Sequence, residues 1–264
     1  MKWLKIFLYM IDILNNRCID ILSEGVQYQE KNCFKSAFLH IESAKKLTQI
    51  DPAMCAFRLI TAEEEAASGL MYCLKRLSYP ESDYLLPHNH QHKSALFPFI
   101  SVLVEFLRGK AQAFTKELSF FIKKDDIDKK LLLQFKLKDE LGGLYVSPVP
   151  PLNFTLKKTG GEEFDYSAEI DDFIKLSGAR TIKEFVRREA NYRNKILYAN
   201  AVGLPDQPEM SASIINEREQ RVIMILRIYM LFSPYSEHQP YVTHALKAFV
   251  ALLKTVKNRS ADNF

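Results

Sequence analysis

The chain has 264 residues, of which 47% are hydrophobic and 26% are charged. This composition is typical of a folded globular protein and excludes a disordered or fibrous chain. The length is sufficient for one large domain or two small ones, each with a hydrophobic core. A formal net charge of +4 is too small to indicate nucleic-acid binding by itself, although it does not exclude it.

The four cysteines are not arranged in C-x-x-C pairs, and all lie in apolar helical patterns: Cys18, Cys33, Cys55 and Cys73. We therefore expect reduced core residues in a cytoplasmic protein. The first apolar run, MKWLKIFLYMIDIL, is interrupted by Lys5 and Asp12 and is too short to span a bilayer. It predicts an amphipathic helix, and no membrane association is expected.

Apolar residues recur with a helical period along most of the chain. Asp51 is a suitable N-cap residue, and Pro52 suits the first position of the helix that follows. Thr181 and Glu184 form a T-x-x-E capping box at the start of a later helix. The predicted helices cover residues 3–24, 33–48, 52–77, 94–107, 110–123, 126–141, 182–200, 211–232 and 240–257, with a loop over 78–93.

The composition of the sequence changes after GGLY, Gly142–Tyr145. Residues 147–166 contain three prolines and a Gly-Gly pair between two short β-prone runs. They predict either a plain loop or a β-hairpin that pairs Asn153–Lys157 with Glu163–Tyr166. The predicted fold class is therefore all-α. It is a single helical domain, 1–264, with N-terminal helices in 1–145, the loop or hairpin insert, and C-terminal helices in 167–258.

Three adjacent carboxylates, Glu63, Glu64 and Glu65, lie inside the helix predicted over 52–77. Each step along a helix turns about 100°, so the three side chains point in different directions. Glu63 and Glu64 fall on lines of apolar residues, whereas Glu65 falls on a line predicted to face solvent. Small residues nearby, including Ala62, Ala66 and Gly69, would admit a second helix at close range. Since an unpaired buried carboxylate is costly, Glu63 and Glu64 require partners.

Two segments could supply those partners. One is HNHQHK, which contains His88, His90, His92 and Lys93; the other contains Arg193, which lies on an apolar line of its own helix. Glu63, Glu64, His92 and Lys93 would then line a polar cleft, or the same contacts would only fix the packing of helices. Arg193 also has a local alternative partner in Glu189, four residues earlier.

Imidazoles and carboxylates together can also bind zinc or iron. However, the E-x-x-H pattern of helical di-metal sites is absent. We therefore predict neither a metal nor a cofactor.

Basic and aromatic residues alternate around Arg193. Such a pattern suits a single-stranded RNA backbone with stacked bases, although a solvated helix face has the same composition. The RNA-binding candidates are Arg187, Arg188, Tyr192 and Lys195, with Lys183 and Tyr198 nearby.

Three motifs resemble a known family. FRLITAEEEAASGL, followed by HQHKSAL, is similar to the A-x-E-E helix and downstream H-K segment of AbiV-type abortive-infection proteins, which belong to the HEPN superfamily of helical bundles. RNKILYAN resembles a later segment of those proteins and the HEPN signature R-N-x-x-x-H. Arg193 and Asn194 match that signature, and Tyr198 stands where the histidine would be.

The resemblance implies a prokaryotic phage-defence protein with a HEPN-like helical bundle. It also implies a homodimer, a metal-independent ribonuclease-like activity on RNA or on the translation machinery, and a phage or partner protein as trigger. The implied catalytic residues are Arg193, Asn194 and Tyr198. Because tyrosine is a poor general base near neutral pH, a non-enzymatic helical protein-interaction subunit is the alternative.

Overall fold

The computed structural model describes residues 28–109, 114–122, 130–137, 143–155, 157, 160–161, 166, 172, 182–199 and 203–258. The predicted helix over 3–24, Cys18 and the capping residue Thr181 lie outside these ranges. Within them the elements are α1 (Gln29–Leu47), α2 (Pro52–Arg76), a 3-10 helix (Ser82–Tyr84), α3 (His90–Gly109), β1 (Phe114–Ile122), β2 (Leu131–Leu137), β3 (Tyr145–Val146), α4 (Ile182–Leu197), α5 (Ala212–Phe232) and α6 (Pro240–Asn258).

The predicted start of α2 is confirmed. The Asp51 carboxylate accepts a hydrogen bond of 2.9 Å from the backbone N–H of Met54, and Pro52 is the first helical residue. An N-cap of this kind satisfies a backbone donor that the helix itself leaves without a partner. The helices predicted over 33–48, 94–107, 211–232 and 240–257 are also present, within a few residues of their predicted ends.

The helices predicted over 110–123 and 126–141 are wrong, because their described parts form β1 and β2. The two strands are antiparallel, with Phe120 opposite Leu133, and β3 pairs with the other edge of β2. The buried residues of β2 are Leu131, Leu132, Leu133 and Phe135, so the first part of the strand is covered on both faces. The Leu, Lys and Glu content of the segment, by contrast, favours helix.

The predicted hairpin in 147–166 is not formed by its described residues. Residues 147–155 contain no strand, and Lys157 makes a single isolated bridge. Residues 163–165 lie outside the described ranges. The described part of the chain is therefore predominantly helical and contains one small antiparallel sheet, which precedes the proline-rich segment.

The chain divides into two compact units. Unit 1 comprises residues 1–73, 86–94 and 186–226, and unit 2 comprises residues 74–85, 95–185 and 227–264. Among the described residues, no helix combines the length and apolar character needed to cross a membrane.

In unit 1, α1 packs very closely against α2 at Gly69. A Cβ atom on Gly69 would lie 3.0 Å from the carbonyl oxygen of Glu30 and 3.0 Å from the ring of Phe34. The predicted role of small residues at this level is thus confirmed, since Ala62 and Ala66 are fully buried beside it. The close contact fixes α1 beside the helix that carries the three glutamates.

In unit 2, the buried side chain of Gln239 joins two segments. Its Oε1 accepts a hydrogen bond of 2.6 Å from the backbone N–H of Leu152, and its Nε2 donates one of 3.0 Å to the carbonyl of Leu231. Its own backbone N–H donates to the hydroxyl of Tyr79 at 3.0 Å. All the polar groups of this contact are satisfied, as burial requires.

Candidate functional site

Glu64 is buried on α2, and two residues of α3 pair with its carboxylate. Oε1 lies 2.8 Å from Nδ1 of His90, and Oε2 lies 3.2 Å from Nζ of Lys93. The side chains of Glu64 and Lys93 are 7% and 9% exposed, whereas that of His90 is 46% exposed. The sequence-based pairing of Glu64 with the His88–Lys93 segment is therefore observed.

The predicted loop over 78–93 is too long, because α3 begins at His90. Asn89 caps the helix: its Oδ1 accepts hydrogen bonds from the backbone N–H groups of Gln91 and His92. Residues three apart share a helix face, so His90 and Lys93 both reach the same carboxylate. Because α3 begins at His90, the side chains of His90 and Lys93 both face Glu64 and pair with its carboxylate.

Glu63 points toward α5 instead. Its Oε1 lies 2.9 Å from Nη1 of Arg218, and its Oε2 lies 3.6 Å from Nη1 of Arg221. Arg221 also binds Glu217 at 2.7 Å. The sequence interpretation missed these partners. The available signal was that Arg218 and Arg221 lie three residues apart and therefore share one face of α5.

Among the described residues Arg193 contacts His90 rather than a carboxylate, which corrects the hypothesis that it pairs directly with Glu63 or Glu64. Its Nη1 lies 3.3 Å from Nε2 of His90, and its guanidinium lies 5.0 Å from the centre of the Phe57 ring. A guanidinium can only donate hydrogen bonds. We therefore assign Nε2 as the acceptor and Nδ1 as the protonated nitrogen that donates to Glu64.

The other two histidines of HNHQHK have separate partners. Nε2 of His88 lies 3.3 Å from the hydroxyl of Tyr72, and Nδ1 of the buried His92 accepts a hydrogen bond from the backbone N–H of Leu86 at 3.3 Å. The four residues proposed to line one polar cleft therefore have different partners. Glu64 pairs with Lys93, whereas Glu63 pairs with Arg218 and His92 contacts the backbone of Leu86. In the part of the chain that the structure describes, no three His, Cys, Asp or Glu side chains are grouped as metal ligands would be.

A second arginine–histidine contact lies between α1 and α2. Nη1 of Arg58 is 3.2 Å from Nδ1 of His40. Burial lowers the pKa of His40, and the adjacent Arg58 lowers it further, while Glu65 acts in the opposite direction. The imidazole of His40 is consequently held in its neutral form as an acceptor for the guanidinium.

The line of α2 residues predicted to face solvent is only partly exposed. Glu65 is half-buried, and Ser68 is buried, with its hydroxyl 2.9 Å from the carbonyl of Glu64 and 3.1 Å from that of Pro87. Burial, together with Glu65 and Glu30, raises the pKa of the Cys33 thiol to about 11, and Lys93 acts in the opposite direction. Glu65 of α2 therefore influences two half-buried groups, the Cys33 thiol and the His40 imidazole.

The remaining candidates lie on or after α4. Arg187, Arg188, Asn194 and Lys195 are exposed, whereas Tyr192 is half-buried and packs against Ala56, Ile60 and Ile196. Tyr198 follows the end of α4 and is 63% exposed. Among the described residues it makes no hydrogen bond to Arg193, so the structure does not join the three implied catalytic residues into one constellation.

We compared the chain with protein-family models, curated proteins and solved structures, and none of the three comparisons gave a match.

Proposed function

We propose that the chain is a cytoplasmic phage-defence protein of the AbiV/HEPN kind that acts on RNA, with Arg193 and His90 as its functional pair. The observation that carries the proposal is the 3.3 Å contact between Nη1 of Arg193 and Nε2 of His90. An arginine to bind a phosphate and an imidazole to transfer a proton are the groups that metal-independent RNA cleavage requires.

His90 takes the place of the histidine that RNKILYAN lacks. In the family signature the imidazole follows the arginine on the same helix, whereas here an imidazole reaches Arg193 from α3. His90 is half-exposed, so a ligand has access to it, and Glu64 fixes its orientation through Nδ1. A base oriented by a carboxylate on its other nitrogen is a recurrent catalytic arrangement.

In the proposed reaction Arg193 binds the scissile phosphate and His90 Nε2 accepts the proton of the ribose 2′-hydroxyl. The 2′-oxygen forms a bond to phosphorus while the bond from phosphorus to the 5′-oxygen breaks. The imidazolium then returns the proton to that 5′-oxygen. The products are a 2′,3′-cyclic phosphate and a 5′-hydroxyl, with no net change in the protein. Glu64 stabilises the imidazolium between the two proton transfers.

Other parts of the proposal rest on the family resemblance. They are a homodimeric state, activation by a phage or partner protein, and a role for the exposed Arg187 and Lys195 in binding the RNA backbone. Tyr198 has no proton-transfer role in this proposal.

The test is RNA integrity in phage-challenged cells that express the wild type, His90→Gln, Arg193→Gln or Tyr198→Phe. We expect cleavage by the wild type and by Tyr198→Phe, and a loss of about 100-fold or more in each of the other two. Thermal melting of the purified variants checks that they fold. Loss of cleavage in Tyr198→Phe, with retention in His90→Gln, would refute the assignment of His90.

The second candidate function is a non-enzymatic interaction subunit. The contacts of Glu63 with Arg218 and Arg221 favour it, because they show a half-buried charge of α2 joining that helix to α5 in the ordinary structural way. In that case phage resistance would accompany intact RNA, and Arg193→Gln would leave the resistance unchanged.

A further inference from the structure

Two arginines of unit 1 differ from the other described arginines around α2. Arg218 and Arg221 pair with carboxylates. Arg58 and Arg193 instead donate to imidazoles, His40 and His90. Within the described ranges neither has a carboxylate at ion-pair distance.

The guanidinium of Arg58 is poorly satisfied. Its Nε is buried and has no hydrogen-bond partner among the described residues, and its Nη1 contacts a neutral imidazole. Glu65 affects the same histidine electrostatically but forms no ion pair with Arg58. A half-buried cation that contacts a neutral imidazole and no described carboxylate is costly for the folded state, so its charge is available to an anionic ligand.

Phe57 adjoins both arginines, Arg58 along the chain and Arg193 in space. Phe57 and Arg58 are consecutive on α2, and Arg193 lies over the Phe57 ring. Phe57, Arg58 and Arg193 are all half-buried. Phe57 and Arg58 of α2 and Arg193 of α4 therefore belong to one part of unit 1, and each arginine has an imidazole beside it.

Resting on the proposed function, we infer that Arg58 and His40 form a second phosphate-binding subsite beside Arg193 and His90. The ligand is an RNA strand that contacts the surface through at least two phosphate groups. The planar fork of arginine matches phosphate oxygens in a bidentate manner.

The test measures binding of a fluorescent single-stranded oligoribonucleotide with 2′-O-methyl groups, which cannot be cleaved by attack of the 2′-oxygen. Anisotropy titrations at several salt concentrations give the slope of log K against log [salt]. Each lost phosphate contact reduces that slope by about 0.7 for a single strand. The matched control is Lys46→Gln, which removes an exposed positive charge from α1, the helix that carries His40.

We expect Arg58→Gln to weaken binding severalfold and to lower the slope by about 0.7, while Lys46→Gln changes neither. Equal behaviour of the two variants would overturn the second subsite and leave the assignment of Arg193 and His90 intact. If Arg193→Gln binds the RNA as well as the wild type does, the proposed function fails. The role of Arg58 would still be supported by a lower salt slope in Arg58→Gln. Absence of binding by the wild type would refute both.

Stability provides an independent measurement. Because Arg58 has no carboxylate partner among the described residues, the apolar substitution Arg58→Met should leave the melting temperature unchanged or raise it, as expected for a residue retained for binding. A fall of several degrees would show that Arg58 is structural and would overturn the inference.

Discussion

The buried ion pair of Glu64 and Lys93 makes a strong prediction about stability. Glu64→Gln keeps the shape of the side chain but removes its charge, and Lys93 is then left without its counter-charge in surroundings where it is only 9% exposed. His90 does not compensate for the lost charge. Its Nδ1–H donates a hydrogen bond to Oε1 of Glu64 and can donate one equally well to the amide oxygen of the introduced glutamine. We therefore expect Glu64→Gln to destabilise unit 1.

The magnitude follows from the burial of both partners. Removing one member of a buried ion pair costs about 3–5 kcal/mol. For a chain of this size, 1 kcal/mol lowers the melting temperature by about 2–4 °C, so a fall on the order of 10 °C is expected. The double variant Glu64→Gln/Lys93→Met leaves no uncompensated charge and should return to within about 1 kcal/mol of the wild type.

The assay is urea denaturation followed by far-ultraviolet circular dichroism, applied to both single variants and the double variant. Glu42→Gln is the matched control, because Glu42 pairs with Lys45 at the surface, where the side chains are 60% and 40% exposed. It should change the free energy of unfolding by less than about 0.5 kcal/mol. A small effect of Glu64→Gln, or additive losses in the double variant, would refute the buried pair.

Three further predictions concern packing, protonation and buried hydrogen bonds. Gly69→Ala should destabilise by about 1–3 kcal/mol, despite the higher helix propensity of alanine, because the added Cβ meets Phe34 and a backbone oxygen at 3.0 Å. Since the pKa of His40 is lowered in the folded state by burial and then by Arg58, the unfolded chain binds the proton more tightly. Stability should therefore fall as the pH decreases below about 6.5 and level off below the folded-state pKa, and His40→Gln should remove this component. Gln239→Leu should cost about 2–4 kcal/mol, because it leaves a buried N–H and a buried carbonyl unsatisfied.

Each of these has a control. Gly160→Ala should be neutral, since an added Cβ there meets nothing within 4 Å. Arg58→Met should reduce the pH dependence assigned to His40 without abolishing it, because burial is the larger cause. The exposed Gln49→Leu should be tolerated. The packing prediction is contradicted if Gly69→Ala and Gly160→Ala melt at the same temperature. The protonation prediction is contradicted if His40→Gln leaves the pH dependence of stability unchanged. The hydrogen-bond prediction is contradicted if Gln239→Leu and Gln49→Leu lose the same free energy of unfolding.

Local sequence signals predicted all six described helices, although they also predicted helix where β1 and β2 form. Asp51 and Pro52 mark the start of α2 because capping depends on the residues at that position alone. The same stripe analysis correctly placed Glu64 among apolar residues, since the direction of a side chain on a helix depends only on its position. It overestimated the exposure of Glu65, because a neighbouring helix covers part of the line of α2 residues that was predicted to face solvent.

Long-range contacts explain what the sequence did not reveal. The partner of Glu63 is Arg218, 155 positions away, and no local pattern links the two. The strands β1 and β2 were missed for a related reason: Leu131–Leu137 has helix-favouring residues, and its pairing with Phe114–Ile122 overrides that preference. The phage-defence function and the HEPN-like resemblance remain predictions from short motifs.

The contact of Arg193 with His90 has a consequence for the chemical reactivity of the imidazole. Both ring nitrogens are occupied, Nδ1 by Glu64 and Nε2 by Arg193, so the lone pair of Nε2 is shielded from electrophiles. An inorganic phosphate ion that attracts the guanidinium would uncover this nitrogen. Diethyl pyrocarbonate should therefore modify His90 faster in the presence of phosphate than in its absence, the reverse of the protection that a bound ligand usually gives.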